Sequence, residues 1–121
     1  MMNTINDKEI LTNTDPSSYS RVFDETNVNW ERQPEYCMLF LKTRENYFND
    51  LLRSRGHVFL NDVYDGLGFK RTSAGQIVGW LVAGKGANYI DFGIRTHRID
   101  HTTTAVLLEF NIDGIIYDKI D

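Results

Sequence analysis

The sequence predicts an α+β domain, and three observations predict it. A wide apolar stripe at helical spacing occupies the first half of the chain. Short alternating or wholly apolar runs occupy the second half. The helical signals come first and the strand signals last, the order of an α+β chain and not of repeating βαβ units. The expected architecture is one long N-terminal amphipathic helix, one or two short helices, then a small antiparallel sheet of three to four strands ending in a hairpin. With 121 residues, the chain suits one domain whose core needs neither metal nor disulfide.

Composition narrows the class. Apolar residues make up 41% and aromatics 12% of the chain, which is globular composition. The net charge of -4 lacks the basic excess of a non-specific nucleic-acid binder. The single cysteine, Cys37, excludes an intramolecular disulfide and a Cys-only zinc cage. No apolar run approaches the ~20 residues of a membrane span, and MMNTINDKEILTNTD lacks the basic-then-apolar pattern of a signal peptide. A soluble domain is expected.

In chain order, residues 1–18 are polar and predict a flexible leader, with a single α+β domain over residues 19–121. Tyr19, Phe23 and Trp30 arrive without clear period. They predict an extended arm pressed onto the core, buried anchoring being the commoner use of such rings than a ligand platform. A helix is predicted from Pro34 to Ser54. Proline suits the first helical position, Glu35 the positive end of the dipole, and Arg53 and Arg55 the negative end. Gly56 is placed to close it in the left-handed conformation. Tyr36, Phe40, Tyr47 and Leu51 form the apolar stripe, with Cys37, Leu41, Phe48 and Leu52 beside it. Cys37 on that side reads as packing and not as a nucleophile.

His57 to Leu60 predicts a short buried strand. Asn61 then reads as the cap of a two-turn helix lined by Leu60, Val63, Tyr64 and Leu67 and closed by Gly68. Ser73-Ala74-Gly75-Gln76 has capping-box form, starting either a second short helix through Trp80 or a strand at Ile77-Val78. Gly84-Lys85-Gly86 breaks the chain. Tyr89 to Ile94 alternates and predicts a strand with Ile90, Phe92 and Ile94 inward. Arg95 to Thr104 reads as a polar connection. Ala105–Ile112 and Ile115–Ile120 predict a hairpin about a type I′ turn at Asp113-Gly114, with Phe110 opposite Tyr117 and Glu109 opposite Asp118.

Few residues point to chemistry. His97 and His101 have the spacing of helical metal ligands, but they fall between strands and lack the glutamate of a metalloprotease motif. Asp91, Glu109 and Asp118 could share a sheet face, where water is a far commoner neighbour than a cation. Ser73 lacks a nucleophile elbow, and Gly84 and Gly86 lack the rest of a phosphate loop. No enzyme, cofactor or metal is expected. The rival reading is DNA binding. A long helix, a short strand, two short helices and a hairpin over Trp80–Ile94 follow the order of a winged helix-turn-helix. Arg53, Arg55, Lys70, Arg71 and Lys85 would contact phosphates, with Gln76 on the recognition helix. Asp62 and Asp65 in the middle of the motif oppose it. The same basic residues are the candidate contacts for a protein partner.

The strings GHVFLNDVYD, AGQIVGW and NYIDFGI, within a similarity that runs from Tyr19 to Asp121, resemble an uncharacterised family of phage and prophage proteins, a domain of unknown function. The resemblance implies phage origin and no established activity. Longer members carry an N-terminal apolar, membrane-anchoring segment that this chain lacks, so no membrane partner is expected. Together these readings lead to a non-enzymatic protein working by protein–protein contact. Its partner would be a phage structural protein or a host protein, with self-association as a further mode and nucleic acid as the lesser alternative. Its place would be the host bacterial cytoplasm or the phage particle.

Overall fold

The computed structural model describes residues 19–82, 88–98 and 104–120. In chain order these form β1 (Arg21–Phe23), α1 (Pro34–Arg55), β2 (His57–Phe59), α2 (Leu60–Leu67), β3 (Val78–Leu81), β4 (Ile94–Arg98), β5 (Thr104–Leu108) and β6 (Gly114–Ile115). The class is α+β. The strands make two antiparallel three-stranded sheets, ordered β1–β5–β4 and β2–β3–β6, where a single sheet is the simpler expectation from sequence.

The 22 residues of α1 begin at Pro34 and stop at Gly56, whose φ of 92° is left-handed and whose N–H bonds the Leu52 carbonyl at 2.8 Å. The buried side of the helix carries Cys37, Leu41, Glu45, Phe48 and Leu52. Tyr36 and Tyr47, expected on the apolar stripe, are 55% and 53% exposed. The stripe is therefore turned from the one the aromatic residues suggest, because Glu45 sits in the middle of the true inward face and masks it.

Asn61 does not cap α2. Phe59 is the capping residue, and Asp62 reaches back so that its Oδ2 accepts the Phe59 N–H at 3.1 Å. Asn61 is buried instead, giving Nδ2–H to the Thr72 carbonyl (2.9 Å) and accepting the Thr72 N–H (3.0 Å). The predicted second short helix is one 3-10 turn, Ala74–Gln76, and the chain enters β3 two residues later. β3 is central, with Val58 opposite Trp80 and Val78 opposite Ile115. Gly79 is where β2 passes closest: a Cβ there would lie 2.1 Å from the Val58 carbonyl oxygen, so only glycine fits.

The C-terminal half departs furthest from expectation. Ile90 and Phe92 are buried at 2% and 0% exposure, as the alternation implies, but they lie outside any strand. The strand is β4, over residues that read as a polar connection, and it pairs with β5 from Ile94↔Leu108 to Arg98↔Thr104. An edge strand tolerates charged residues, so polarity there hides the ladder. Asp113-Gly114 makes no type I′ hairpin. Ile115 joins β3, and buried Ile116 gives its N–H to the Ile77 carbonyl at 2.9 Å, which turns the chain into a 3-10 segment at Tyr117–Lys119. Phe110 accordingly meets Phe92 and Tyr64 edge-on, at 5.6 and 6.0 Å between centroids, and not Tyr117. Glu109 lies 3.1 Å from Arg95 Nε and not opposite Asp118.

The winged-helix order is not what forms. Its recognition helix is the three-residue 3-10 turn, and the two strands of its wing, β3 and β4, belong to different sheets. The aromatic arm contributes β1, which pairs Phe23 opposite Val106. Phe23 is fully buried, stacked on Phe40 at 5.8 Å and tilted against Trp30 at 5.4 Å. Tyr19 joins through its carbonyl, which accepts the Tyr64 hydroxyl at 2.6 Å.

Candidate functional site

Helix α1 separates two surfaces with different chemistry. Its inward side carries a carboxylate and an amide that hold a neighbouring segment. Glu45 Oε2 accepts the Phe92 N–H at 2.8 Å while its Oε1 lies 3.2 Å from Lys42 Nζ. Asn49, one turn on, accepts the Ile90 N–H (2.8 Å) and gives Nδ2–H to the Ile90 carbonyl (2.9 Å). This is the two-bond pattern of a β-bridge, supplied by a side chain. Asn111 works from the other side: its Oδ1 accepts the Asp91 N–H (2.7 Å) and its Nδ2–H reaches the Tyr89 carbonyl (3.1 Å). The same Oδ1 accepts Trp80 Nε1–H at 2.9 Å, tying the segment to the core tryptophan. The NYIDF run is thus held like a strand, by three side chains and by the Asn111 N–H, which bonds the Asp91 carbonyl at 3.1 Å.

Beside it lies an open cleft of about 690 Å³, lined by Lys42, Glu45, Asn46, Asn49, Asp50, Arg53, Tyr89, Ile90 and Asp91. Its polar groups are largely committed to one another: Arg53 pairs with Asp50, Lys42 with Glu45, and Asp91 Oδ1 accepts the Gly93 N–H. Ligand pockets are mostly apolar with a few convergent polar groups, and this cleft lacks that character.

The outward side of α1 is different. Tyr36, Leu39 and Tyr47 are 55%, 63% and 53% exposed. At ~100° per residue they fall within an arc of about 80°, opposite the buried row. Sequence reasoning missed this face, since it assigned both tyrosines to the core. The available signal was phase: Cys37, Leu41, Phe48 and Leu52 already complete an inward row without them.

Three of the basic residues singled out from the sequence, Arg53, Arg55 and Arg71, are each paired with an aspartate. Arg53 is paired with Asp50 on α1. Arg55 joins Asp62 at 2.9 Å, linking the end of α1 to the start of α2, and also gives Nε–H to the His57 carbonyl. Arg71 bonds both Asp65 oxygens through Nε at 3.0 Å. That bond holds the Asp65 carboxyl below the usual carboxylate range and raises the Arg71 guanidinium. Lys70 is exposed. Lys85 lies outside the described residues, as do the leader and His101.

Two other nominated groups are accounted for structurally. Cys37 is 1% exposed, its Sγ–H donating to the Glu31 carbonyl at 3.1 Å and its sulfur accepting the Glu31 N–H. Burial raises its pKa, outweighing that bond, so it remains a thiol. Asp91, Glu109 and Asp118 form no metal-holding group among the described residues. No helix among those residues is long and apolar enough to cross a membrane.

No curated protein and no solved structure matches the chain. A family model does, described as a family of unknown function, DUF6353, over residues 2–120. With nearly its whole length matched, the chain belongs to this family of unknown function.

Proposed function

We propose that the chain is a phage-encoded, non-enzymatic protein that works by protein–protein contact, and that the outward face of α1 is its contact surface. The observation that carries this reading is the exposure of Tyr36, Leu39 and Tyr47 on one arc of a helix whose other side is fully packed. Tyrosine is enriched at interface hot spots, where its ring supplies area and its hydroxyl a hydrogen bond. Clustered exposed apolar side chains on a folded domain mark contact sites more often than scattered ones do. The phage origin rests on the resemblance of the GHVFLNDVYD, AGQIVGW and NYIDFGI strings. It makes the protein a particle or assembly component, or a modulator of a host or defence protein, in the host cytoplasm or the particle. Of the two nominated basic residues on α1, Arg53 and Arg55, Arg53 lies nearer the exposed arc and belongs to the rim of this surface.

The test is capture of interacting proteins on the immobilised chain, compared with a Leu39→Asp/Tyr47→Ala variant of unchanged thermal stability. A specific protein, this chain included, should be retained by the native chain and lost from the variant. Retention that ignores both substitutions would overturn the reading. So would tight binding to duplex DNA that weakens steeply with salt, the signature of phosphate contacts.

A further inference from the structure

We propose that the outward face of α1 takes a second copy of the chain, the two helices packing antiparallel about Thr43. This rests on the reading of that face as a protein-contact surface and names its occupant. The argument is self-complementarity. Tyr36, Leu39, Thr43, Tyr47 and Asp50 follow one another at spacings of three and four along the exposed ridge of α1, the seam of a paired helix. Leu39 and Tyr47 stand equally far on either side of Thr43, and so do Tyr36 and Asp50. A two-fold axis through Thr43 therefore lays each Leu39 on the partner's Tyr47. It also brings each Tyr36 hydroxyl to the partner's Asp50 carboxylate, a charge-assisted hydrogen bond.

The charges agree with the same arrangement. Glu35 lies in the first turn and Arg53 in the last, five whole turns apart and so on one side of the helix. Antiparallel pairing sets each Glu35 beside the partner's Arg53. Arg53 already bonds Asp50, but a guanidinium has five N–H donors and can serve both. A parallel pairing would leave both Glu35 at one end and both Arg53 at the other, with no contact between opposite charges. At the crossing point Thr43 is small and exposed, which lets the axes approach to the ~8–10 Å of packed helices. The seam from Tyr36 to Asp50 is about 21 Å long, short enough for a reversible, concentration-dependent dimer.

The experiment uses the whole chain. Sedimentation over rising concentration should show mass approaching twice that of the chain, and Leu39→Asp should return it to the monomer, with an unfolding midpoint equal to that of wild type at dilutions where both are monomeric. Thr43→Cys gives the sharper test. On the axis it faces its own counterpart within disulfide reach, so mild oxidation should convert most of it to a covalent dimer. Lys70→Cys, away from the face, should stay monomeric, and Cys37 is too buried to compete. Failure of Thr43→Cys to cross-link, or equal cross-linking at Lys70→Cys, overturns the proposal. A chain that stays monomeric yet captures another protein through Leu39 and Tyr47 refutes the second copy and leaves the contact surface standing. A monomer that captures nothing removes both.

Discussion

The two sides of α1 are built from similar residues and do opposite things. Inward, Leu41, Phe48 and Leu52 meet the core and Glu45 and Asn49 grip the 90–92 backbone. Outward, Leu39, Tyr36 and Tyr47 meet no covering element among the described residues. The same aromatic and aliphatic chemistry thus contributes folding free energy on one side and an unsatisfied surface on the other. Only phase along the helix distinguishes them. The comparison teaches that hydrophobicity alone does not locate a core, and that a buried carboxylate can mark the inward side better than a tyrosine does.

Substitutions should separate the two sides sharply. Phe48 is 4% exposed, and Phe48→Ala should cost about 3–5 kcal/mol in denaturant unfolding. A loss below about 1 kcal/mol would show that the inward face has been assigned wrongly.

The next effect is on α2, where neighbouring residues repeat the contrast. Tyr64 is fully buried, and burial pushes its hydroxyl up to about 12, outweighing the lowering by nearby Arg21. The folded pKa lies above the ordinary one, so the stability it supports is complete below pH ~10 and is lost as pH rises toward about 12. The loss amounts to about 2–3 kcal/mol. Comparing wild type with Tyr64→Phe across that window isolates it, since the phenylalanine variant should fall less steeply. Asn49→Ala should cost about 1–3 kcal/mol by stranding the Ile90 N–H and carbonyl. Hydrogen exchange at Ile90 and Phe92 should then accelerate while β5 stays protected.

Asp65, next to Tyr64 but exposed, gives the smallest titration. Its folded pKa is lowered by the Arg71 bond, so its contribution is present above the ordinary carboxylate range and disappears as pH falls through the folded value. Solvent screening keeps that contribution under about 1 kcal/mol. Arg71→Ala should remove the acid-side slope without otherwise changing the unfolding curve.

Much of this architecture is legible in the sequence. Pro34 and Gly56 mark the ends of α1 because each serves a backbone need that does not depend on the rest of the fold. Leu60, Val63, Tyr64 and Leu67 mark α2 by period alone. The 89–93 segment was legible only in part. Burial of Ile90 and Phe92 shows in their alternation, but alternation does not say what bonds the backbone. Many of the bonds come from side chains, among them Asn49, 41 residues away from Ile90, and Asn111, 20 away from Asp91, and such clamps leave no local pattern. β4 was hidden for the converse reason: its bonds are ordinary ladder bonds carried by residues that look like a loop. The charge of Arg53, Arg55 and Arg71 was legible but their partners were not, because Asp50, Asp62 and Asp65 each claim one in the folded chain. The outward face emerged only when the exposure of Tyr36, Leu39 and Tyr47 could be seen.

The most direct test of the central contrast is a paired measurement on Leu39→Asp against wild type: unfolding free energy at a dilution where wild type is monomeric, and capacity to associate at higher concentration. Leu39 is 63% exposed, so stability should stay within about 0.5 kcal/mol while association is lost. A variant that unfolds more easily by about 2 kcal/mol or more would make the outward face part of the core. One that associates as wild type does would contradict its use as a contact surface.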